Sequence, residues 1–438
     1  MSILATNGYY AQMEQTVVIE KVVAGGRGLG RLASGQVVLV PGSLPGEALT
    51  VRITQLYRGY AEAEIVQINE TSPERVQPPC PYYGRCGGCD LQHAAYRAQL
   101  TIKQTILEES LKRARLSLPG EFSPALASPG SLGYRFRLRM HLDPSGCLGF
   151  HQAATNTVVP VERCLLATEP MNRVLYNLSN SDWPKRLSRQ IKAIEIIHSP
   201  ESDEVMLILY PYQGSLINHR LPEQMAASAD AVHVHDQRRT AAPAMLLSQR
   251  FSLHGYTYRL TWDHLCFFQT NCAQNVQLVK LAVDMLPQHP SSLTVLDLFC
   301  GIGNFTVPIA LRGATVLGVE HNHQSVHWAE KNSRNCGLST TRFAAANVER
   351  YLHTLIRQKK HFDCILCDPP RQGLGRAASL MANGLAPKKI IAVSCDPATL
   401  ARDLAIFTLH GYQLTRLIPI DMFPQTHHIE SIGLLERN

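Results

Sequence analysis

Short runs of alternating apolar and polar residues, separated by glycine and proline, characterise the chain before residue 71. The predicted strands are Thr16–Val23, Val37–Pro41, Ala48–Leu56 and Ala61–Ile68. The glycine-rich segment 25–30 falls between the first two, where we expect a connection. Strands of this length and spacing are typical of a small closed barrel of the OB type. Such barrels commonly bind nucleic acid, although a purely structural barrel fits the pattern as well.

The middle of the chain predicts one long helix and one strongly alternating strand. The helix covers Ala94–Leu116, with apolar positions repeating at helical spacing. The strand covers Tyr134–Leu142, and its basic residues all point to one face. These residues are Arg135, Arg137, Arg139 and His141. A row of four basic side chains favours a phosphate-contacting stripe over an ordinary solvated face.

From about Phe267 onward, predicted strands alternate with helices in βα units, as a doubly wound parallel sheet requires. The predicted strands are Thr294–Phe299, Thr315–Glu320, Phe362–Asp368, Lys389–Ser394, Leu414–Ile420 and Glu430–Leu435. The fold class is therefore α/β and Rossmann-like in this region, preceded by a central α+β region and the N-terminal barrel.

Composition narrows the class of protein. A chain of 438 residues makes two to four domains, and a net charge of +7 permits an anionic partner such as nucleic acid. The opening segment lacks a basic stretch followed by an apolar core, and no apolar run is long enough to span a membrane. We therefore expect a cytoplasmic protein, in which the 12 cysteines are metal ligands, catalytic thiols or buried residues rather than disulfides.

Three cysteines lie within ten residues of one another, interleaved with glycines that allow a tight fold. They are Cys80, Cys86 and Cys89. A metal centre needs a fourth ligand, for which Cys164 is a better candidate than Cys147, which sits in a Pro-Ser-Gly turn. Four thiolates suit either zinc or an iron–sulfur cluster, and the spacing does not decide between them.

A candidate cofactor site follows the first strand of the α/β region. Asp297 precedes a turn with Gly301 and Gly303, and Glu320 ends the next strand, where it can bind a ribose. The third glycine of the dinucleotide fingerprint is replaced by Thr306. A carboxylate before the turn disfavours a pyrophosphate but suits a cationic ligand, which favours S-adenosylmethionine over NAD.

Two strand ends carry candidate catalytic groups. Asp368 precedes Pro-Pro-Arg, and Cys395 precedes a predicted helix over Ala398–Leu409, whose N-terminus favours a thiolate. In open α/β sheets the carboxyl ends of strands face the ligand crevice. A further segment, 421–430, offers a carboxylate, two histidines and Glu430 near the last strand.

A thiolate, a methyl donor and a base together suit methylation of uracil at C5. C5 is a poor nucleophile until a thiolate adds to C6, and a base must then remove the C5 proton so that the thiol is eliminated. A uracil in folded RNA would have to leave its stack to reach such a site.

These motifs resemble the RNA uracil-C5 methyltransferase family, in particular its bacterial 23S rRNA enzymes, over nearly the whole chain. The resemblance implies a TRAM domain near residues 14–70, an OB-like RNA-binding module. It also implies a 4Fe-4S cluster held by Cys80, Cys86, Cys89 and Cys164, S-adenosylmethionine as cofactor, Cys395 as nucleophile and Glu430 as general base. The cofactor-binding residues it implies are Gln269, Phe299, Asn304, Glu320, Asn347 and Asp368. Departures from the family pattern are Thr270, Cys272 and Asp396.

The resulting prediction divides the chain into a TRAM domain (10–70), a central iron–sulfur domain (71–265) and a methyltransferase domain (266–438), with helix 94–116 free to pack on the last. We expect a monomer that methylates one uracil of 23S rRNA. The alternative substrate is the T-loop uracil of tRNA, and a non-catalytic RNA-binding or assembly factor is a third hypothesis.

Overall fold

The computed structural model describes residues 14–215, 217–218, 220–235, 245–287 and 292–437. The start of the predicted N-terminal domain at residue 10 and most of the segment tested for a secretory signal lie outside these residues. Within the described parts of the chain, no helix is both long and apolar enough to cross a membrane.

Five strands close into an N-terminal barrel around an apolar interior. They are β1 (Glu14–Val23), β2 (Arg27–Arg31), β3 (Val37–Pro41), β4 (Ala48–Leu56) and β5 (Tyr60–Glu70). Their order around the barrel is β1–β2–β3–β5–β4. The closed barrel expected from the strand spacing is therefore present.

The expectation that residues 25–30 form only a connection is wrong, because β2 begins at Arg27. A Cβ atom at Gly28 would lie 2.0 Å from Ser43 Oγ, and one at Gly30 would lie 2.3 Å from Val17 Cγ1. These glycines are needed because neighbouring strands approach too closely for a side chain, which is a packing requirement inside a strand.

A six-stranded sheet and a hairpin follow the barrel. The helices and strands are α1 (Tyr96–Arg113), β6 (Glu121–Phe122), β7 (Arg137–Leu142), β8 (Leu148–His151), β9 (Val158–Pro160), α2 (Glu169–Ser179), α3 (Trp183–Leu187), β10 (Ile191–His198), β11 (Val205–Pro211), α4 (Leu221–Gln224), β12 (Ala231–Val234), β13 (Leu247–Leu253) and β14 (Tyr256–Trp262). The sheet order is β12–β11–β10–β7–β8–β9, and β13 pairs with β14.

Two residues on the basic face of β7 pair with a buried acid, so the face is not wholly free, and its contact with phosphate stays a prediction. Glu195 on β10 accepts two hydrogen bonds from Arg137, at 2.9 and 3.0 Å, and lies 3.4 Å from the Arg139 guanidinium. The ring of His141 stacks on that of His151. Because Glu195 is buried, the two arginines balance its charge, and the pKa of its carboxyl is lowered despite burial.

The C-terminal region forms an eight-stranded sheet flanked by helices. Its elements are α5 (Cys272–Asp284), β15 (Thr294–Leu298), α6 (Thr306–Leu311), β16 (Thr315–Glu320), α7 (His323–Asn335), β17 (Thr341–Ala345), α8 (Val348–Arg357), β18 (Cys364–Cys367), α9 (Arg376–Ser379), a π-helical turn (Leu380–Leu385), β19 (Lys389–Ser394), α10 (Pro397–Leu409), β20 (Tyr412–Ile420) and β21 (Glu430–Arg437). The order is β17–β16–β15–β18–β19–β21–β20–β6, and β21 runs antiparallel between β19 and β20.

Two elements from the middle of the chain complete this C-terminal sheet. Helix α1 buries Leu107 and Leu111 in the same apolar cluster as Leu417 and Leu435. Strand β6 pairs in parallel with β20 at the edge of the sheet. The C-terminal sheet and its helices, which position the site, therefore come from two parts of the chain. One part precedes the strands of the six-stranded sheet and the other follows them.

Candidate active site

The first feature of the site is a strained turn after β15. Phe299 adopts a positive φ of 63°, and Gly301 and Gly303 follow with φ of 53° and 90°. Strand β15 ends one residue before Phe299, where the sequence predicted its last residue to be. The Phe299 amide donates to the Val319 carbonyl at 2.8 Å, which fixes the turn against β16. Strain of this kind in a non-glycine residue is common at ligand sites.

Four of the predicted cofactor residues line one cavity at the carboxyl edge of the sheet. They are Gln269, Phe299, Asn304 and Asp368. Glu320 lies directly behind the turn, where its carboxylate accepts the Gly301 amide at 3.2 Å and the Asn322 amide at 2.8 Å. Asn347 does not line the cavity, since its side-chain oxygen caps α8 by accepting the Arg350 amide at 3.1 Å.

Two further residues of this cavity were not identified from the sequence. Asn275 and Asn304 exchange a reciprocal pair of amide hydrogen bonds, each 3.0 Å long, so Asn275 sets the orientation of Asn304. Phe267 lines the cavity with 67% of its surface exposed. Asn275 is a single amide on a helix, which gives no signal in the sequence. Phe267 is exposed and Phe268 is buried, but nothing in the sequence around them distinguishes the two rings.

Three carboxyl groups meet at this edge, and burial raises the pKa of each. The pKa of Asp297 rises to about 7, with the charges of Asp368 and Glu320 adding to the effect of burial and the Thr306 hydroxyl opposing it. Burial also raises the pKa of Asp368 to about 7 and that of Glu430 well above its ordinary value. Among the described residues, Asp297 Oδ1 and Glu430 Oε1 are buried without a hydrogen-bond partner.

Cys395 and Glu430 lie at neighbouring strand ends. Ser394, the last residue of β19, pairs with Ser431 on β21. Cys395 follows Ser394 and Glu430 precedes Ser431, so the two residues lie at the same edge of the sheet. Cys395 is half-buried, whereas Cys364 and Cys367 on β18 are fully buried. An accessible thiol beside a buried carboxyl can serve as a nucleophile with an adjacent base.

The expectation that the helix N-terminus favours a Cys395 thiolate is wrong for the protein without ligands. Burial raises the pKa of this thiol to about 11, with further upward contributions from Glu430 and Asp368 and an opposing one from Arg371. The helix end itself is occupied by Asp396, which accepts the Thr399 amide at 2.8 Å. These surroundings consequently favour the thiol form of Cys395 over the thiolate.

The cysteines of the middle region lie around a separate cavity of about 200 Å³. Its lining includes Cys80, Cys86, Cys89 and Cys164. Cys147 does not line it. Asn172 holds the Cys164 backbone by two hydrogen bonds, accepting at 2.9 Å and donating at 3.1 Å. These two hydrogen bonds were not predicted from the sequence, because Cys164 lies on a loop and Asn172 on a helix, and no motif links them.

The four cysteines predicted as ligands all line this one cavity. Within the described residues, no group of three or more His, Cys, Asp or Glu is spaced to hold a single metal ion. Burial raises the pKa of Cys86 and of Cys164, and raises that of Cys89 to about 12, and the neighbouring Cys80 adds to the rise in all three. Soft thiolate donors around a wide cavity suit a group of several atoms that carries positive charge.

Fold and site together define a methyltransferase, and comparison with known proteins specifies the family. Residues 96–438 match the family described as tRNA (uracil-5-)-methyltransferase, and residues 10–66 match the TRAM domain. The chain belongs to this uracil-5-methyltransferase family. The family predicted from the motifs, the methyltransferase activity and S-adenosylmethionine as the methyl donor are thereby confirmed.

Curated relatives match over almost their full length. The chain is 34% identical, over 98% of each sequence, to the 23S rRNA (uracil(1939)-C(5))-methyltransferase RlmD of Acidithiobacillus ferrooxidans. It is 35% identical to the protein of that name from Thiobacillus denitrificans, over 94% of this chain and 97% of the relative. Among solved structures, the Pyrococcus abyssi tRNA (uracil-54, C5)-methyltransferase in complex with S-adenosyl-L-homocysteine shares the fold, with a TM-score of 0.71 at 24% identity over 96% of this chain and 99% of that chain.

Proposed function

We propose that the protein methylates C5 of one uracil in 23S rRNA through a covalent adduct with Cys395. The observation that carries the proposal is the adjacency of an accessible thiol and a buried, unpartnered carboxyl at the edge where the cofactor turn lies. The full-length similarity to relatives named for that reaction supports the choice of RNA.

The residues of this chain divide the reaction between them. Cys395 loses its thiol proton to water and the resulting thiolate adds to C6 of the uracil, which moves the C5–C6 π electrons onto the ring carbonyl and makes C5 nucleophilic. S-adenosylmethionine supplies the electrophilic methyl group. Glu430 then takes the proton from C5, and the Sγ–C6 bond breaks as the C5–C6 double bond is restored. A carboxyl with a raised pKa suits Glu430 for holding that proton.

The described cavity suits the methyl donor on chemical grounds. The carboxyl of Asp368 lines the cavity and offers negative charge to a cationic ligand, the buried Asp297 adds to that charge from the preceding strand, and Glu320 lies where a ribose would be bound. We propose Gln269, Phe299, Asn304, Glu320 and Asp368 as cofactor-binding residues, with Asn347 next to them at the end of β17.

Two substitutions separate the two covalent steps. Cys395→Ala should abolish methylation and also prevent a covalent complex with 5-fluorouridine RNA, measured by denaturing gel. Glu430→Gln should form the methylated adduct with ordinary uridine RNA and fail to release it. Cys336→Ala, at a half-buried cysteine at the end of α7, is the matched control and should leave both steps intact. Methylation by Cys395→Ala would contradict the mechanism.

The T-loop uracil of tRNA is the second candidate substrate. It is favoured by the common fold with the Pyrococcus abyssi tRNA enzyme over 96% of the chain. Incubation with undermethylated 23S rRNA and with undermethylated tRNA, in separate reactions with labelled methyl donor, distinguishes the two. Labelling of tRNA alone would overturn the ribosomal assignment.

For the cysteine site we propose a 4Fe-4S cluster held by Cys80, Cys86, Cys89 and Cys164, with a structural role. The four cysteines that line one cavity supply the soft donors that such a cluster needs. Protein purified without air should contain iron and sulfide, and Cys164→Ser should lose both while Cys147→Ser retains them. Stoichiometric zinc in the unsubstituted protein would contradict the assignment.

A further inference from the structure

Asp90 lies where three parts of the molecule meet. It directly follows Cys89, and the Asp90 and Leu91 amides donate to the Gln425 carbonyl at 3.2 and 3.1 Å. Its carboxylate pairs with His427 Nδ1. A Cβ atom at Gly26 of the barrel would lie 2.7 Å from Asp90 Cγ, so the barrel also closes onto this side chain.

The partner of Asp90 is the segment 421–429, which joins β20 to β21 and ends immediately before Glu430. Gln425 within it adopts a positive φ of 70°. Gln99 on α1 holds Gln425 from the other side, accepting its amide at 3.0 Å and donating to its side-chain oxygen at 2.9 Å. Strained backbone of this kind persists only where surrounding contacts fix it.

Glu430 has few contacts of its own to set its direction. Its side chain is buried, and among the described residues its Oε1 lacks a hydrogen-bond partner. The position of its carboxyl therefore depends on where β21 begins, which is fixed by pairing with β19 and β20 together with the preceding segment. The segment is attached at several points, among them Gln99, Lys103 and Tyr134, and Asp90 is the attachment that adjoins the cysteine site.

We propose that Asp90 is a positioning residue for Glu430, acting through His427 and Gln425. The inference rests on the proposed role of Glu430 as the base. It gives the cysteine site a mechanical function, because any group that fixes Cys89 also fixes its neighbour Asp90. The site and the base are thereby joined by the hydrogen bonds from Asp90 to Gln425 and His427 and by the short backbone between His427 and Glu430, with no electron transfer involved.

The test separates the base step from the nucleophile step. With uridine RNA, Asp90→Ala should release methylated product about tenfold to a hundredfold more slowly than the unsubstituted protein, so that methylated adduct accumulates. With 5-fluorouridine RNA, adduct formation by Cys395 should keep its normal rate. Asp90→Asn retains an acceptor for His427 and should restore product release.

Glu169→Ala is the matched control. Glu169 is an exposed acid that pairs with Arg163, next to Cys164, at 2.6 Å. This substitution changes charge beside the cysteine site without touching Asp90, and should release product at the normal rate. A structural readout accompanies the kinetics: the Leu91 amide and the amides of residues 426–430 should exchange with deuterium faster in Asp90→Ala than in Asp90→Asn.

Normal product release by Asp90→Ala would overturn the inference, as would an equal slowing of 5-fluorouridine adduct formation, which indicates a general loss of structure. The two hypotheses fail separately. If Glu430→Gln accumulates methylated adduct and Asp90→Ala does not, the positioning role is wrong and the base assignment stands. If neither variant accumulates it, the base assignment is wrong.

Discussion

The charge of Asp368 opposes the ionisation of both Asp297 and Glu430 at the edge of the sheet, and the protonation of these groups makes the site sensitive to pH. The folded-state pKa of Asp297, about 7, lies above the value of about 3.9 for an unfolded chain, so the folded protein binds this proton more tightly. The stability that this bound proton contributes is fully present below the pKa of Asp297 in the unfolded chain. It is lost as the pH rises through the pKa of Asp297 in the folded protein.

Replacing Asp297 by a residue that cannot ionise should therefore stabilise the folded protein more at high pH than at low pH. We expect the melting temperature of Asp297→Asn, relative to the unsubstituted protein, to rise steadily between about pH 5 and pH 8. Thermal unfolding without cofactor, across that range, measures the difference. Glu162→Gln, at an exposed acid, provides the control, and a constant difference for Asp297→Asn would show that Asp297 does not titrate in this window.

A second residue-scale feature is the ion pair between Lys103 on α1 and Asp421. Both side chains are completely buried, the Lys103 ammonium also donates to the Phe423 carbonyl at 2.9 Å, and the Tyr96 hydroxyl donates to Asp421 at 2.8 Å. Burial lowers the pKa of Lys103, while the carboxylate opposes that change. The pair holds α1 to the segment that leads to Glu430.

Lys103→Met should destabilise the fold by roughly 3–5 kcal/mol, because it leaves a buried carboxylate without its partner. The double substitution Lys103→Met with Asp421→Leu should lose less than the single one, since no uncompensated charge remains. Urea unfolding of the three proteins measures both effects. A double variant less stable than Lys103→Met would show that the pair contributes more than mutual neutralisation.

At the scale of elements, the sequence predicted most of the C-terminal sheet because buried parallel strands read as continuous apolar runs. The prediction for β16 matches its observed bounds, Thr315–Glu320, and that for β15 exceeds them by one residue. It missed β2, since Gly28 and Gly30 read locally as turn residues. Their role depends on Ser43 and Val17 across the barrel, which no local pattern reveals.

Gly30 and Gly59 make a matched pair for testing that packing requirement. A Cβ at Gly30 would also lie 2.7 Å from the Val18 carbonyl oxygen, while one at Gly59 would meet nothing within 4 Å. Gly30→Ala should destabilise the barrel by about 1–3 kcal/mol, the usual range for overpacking, and Gly59→Ala should have little effect. Thermal unfolding compares them, and equal stability of the two variants would contradict the packing argument.

The candidate site likewise contains some residues that local motifs identify and others whose partners are distant in the sequence. The strand-end motifs place Asp368 and Cys395 at one edge because β18 and β19 are parallel, whereas Glu430 reaches that edge because it begins the antiparallel strand β21. The actual partners of Asp421 and His427 are Lys103 and Asp90, more than 300 positions earlier in the chain. Such pairings depend on tertiary packing, and a single sequence contains no local pattern that specifies them.

At the scale of the whole molecule, the predicted boundary at residue 266 separates the catalytic sheet from two of its own parts. The family match begins at residue 96, where α1 begins, and includes β6 as well. Without these elements, the apolar cluster around Leu417 and Leu435 would lose the cover provided by Leu107 and Leu111. The catalytic unit is consequently discontinuous in sequence.

Two fragments test this organisation. A fragment of residues 96–438 should fold and bind S-adenosyl-L-homocysteine, whereas residues 266–438 alone should aggregate or bind at least tenfold more weakly, because an apolar face is uncovered. Calorimetric titration and size-exclusion chromatography provide the measurement. A well-behaved 266–438 fragment with normal affinity would show that α1 and β6 are dispensable.

The distance along the chain between Lys103 and Asp421 also matters while the protein is being made. These partners are 318 positions apart. At a translation rate of about 5–20 residues per second, α1 leaves the ribosome on the order of 15 to 60 seconds before its carboxylate exists. Throughout that interval, a nascent helix carries an unneutralised lysine and two uncovered leucines. During synthesis of this enzyme we therefore expect chaperones to bind the uncovered face of α1, until the C-terminal strands have formed and cover it.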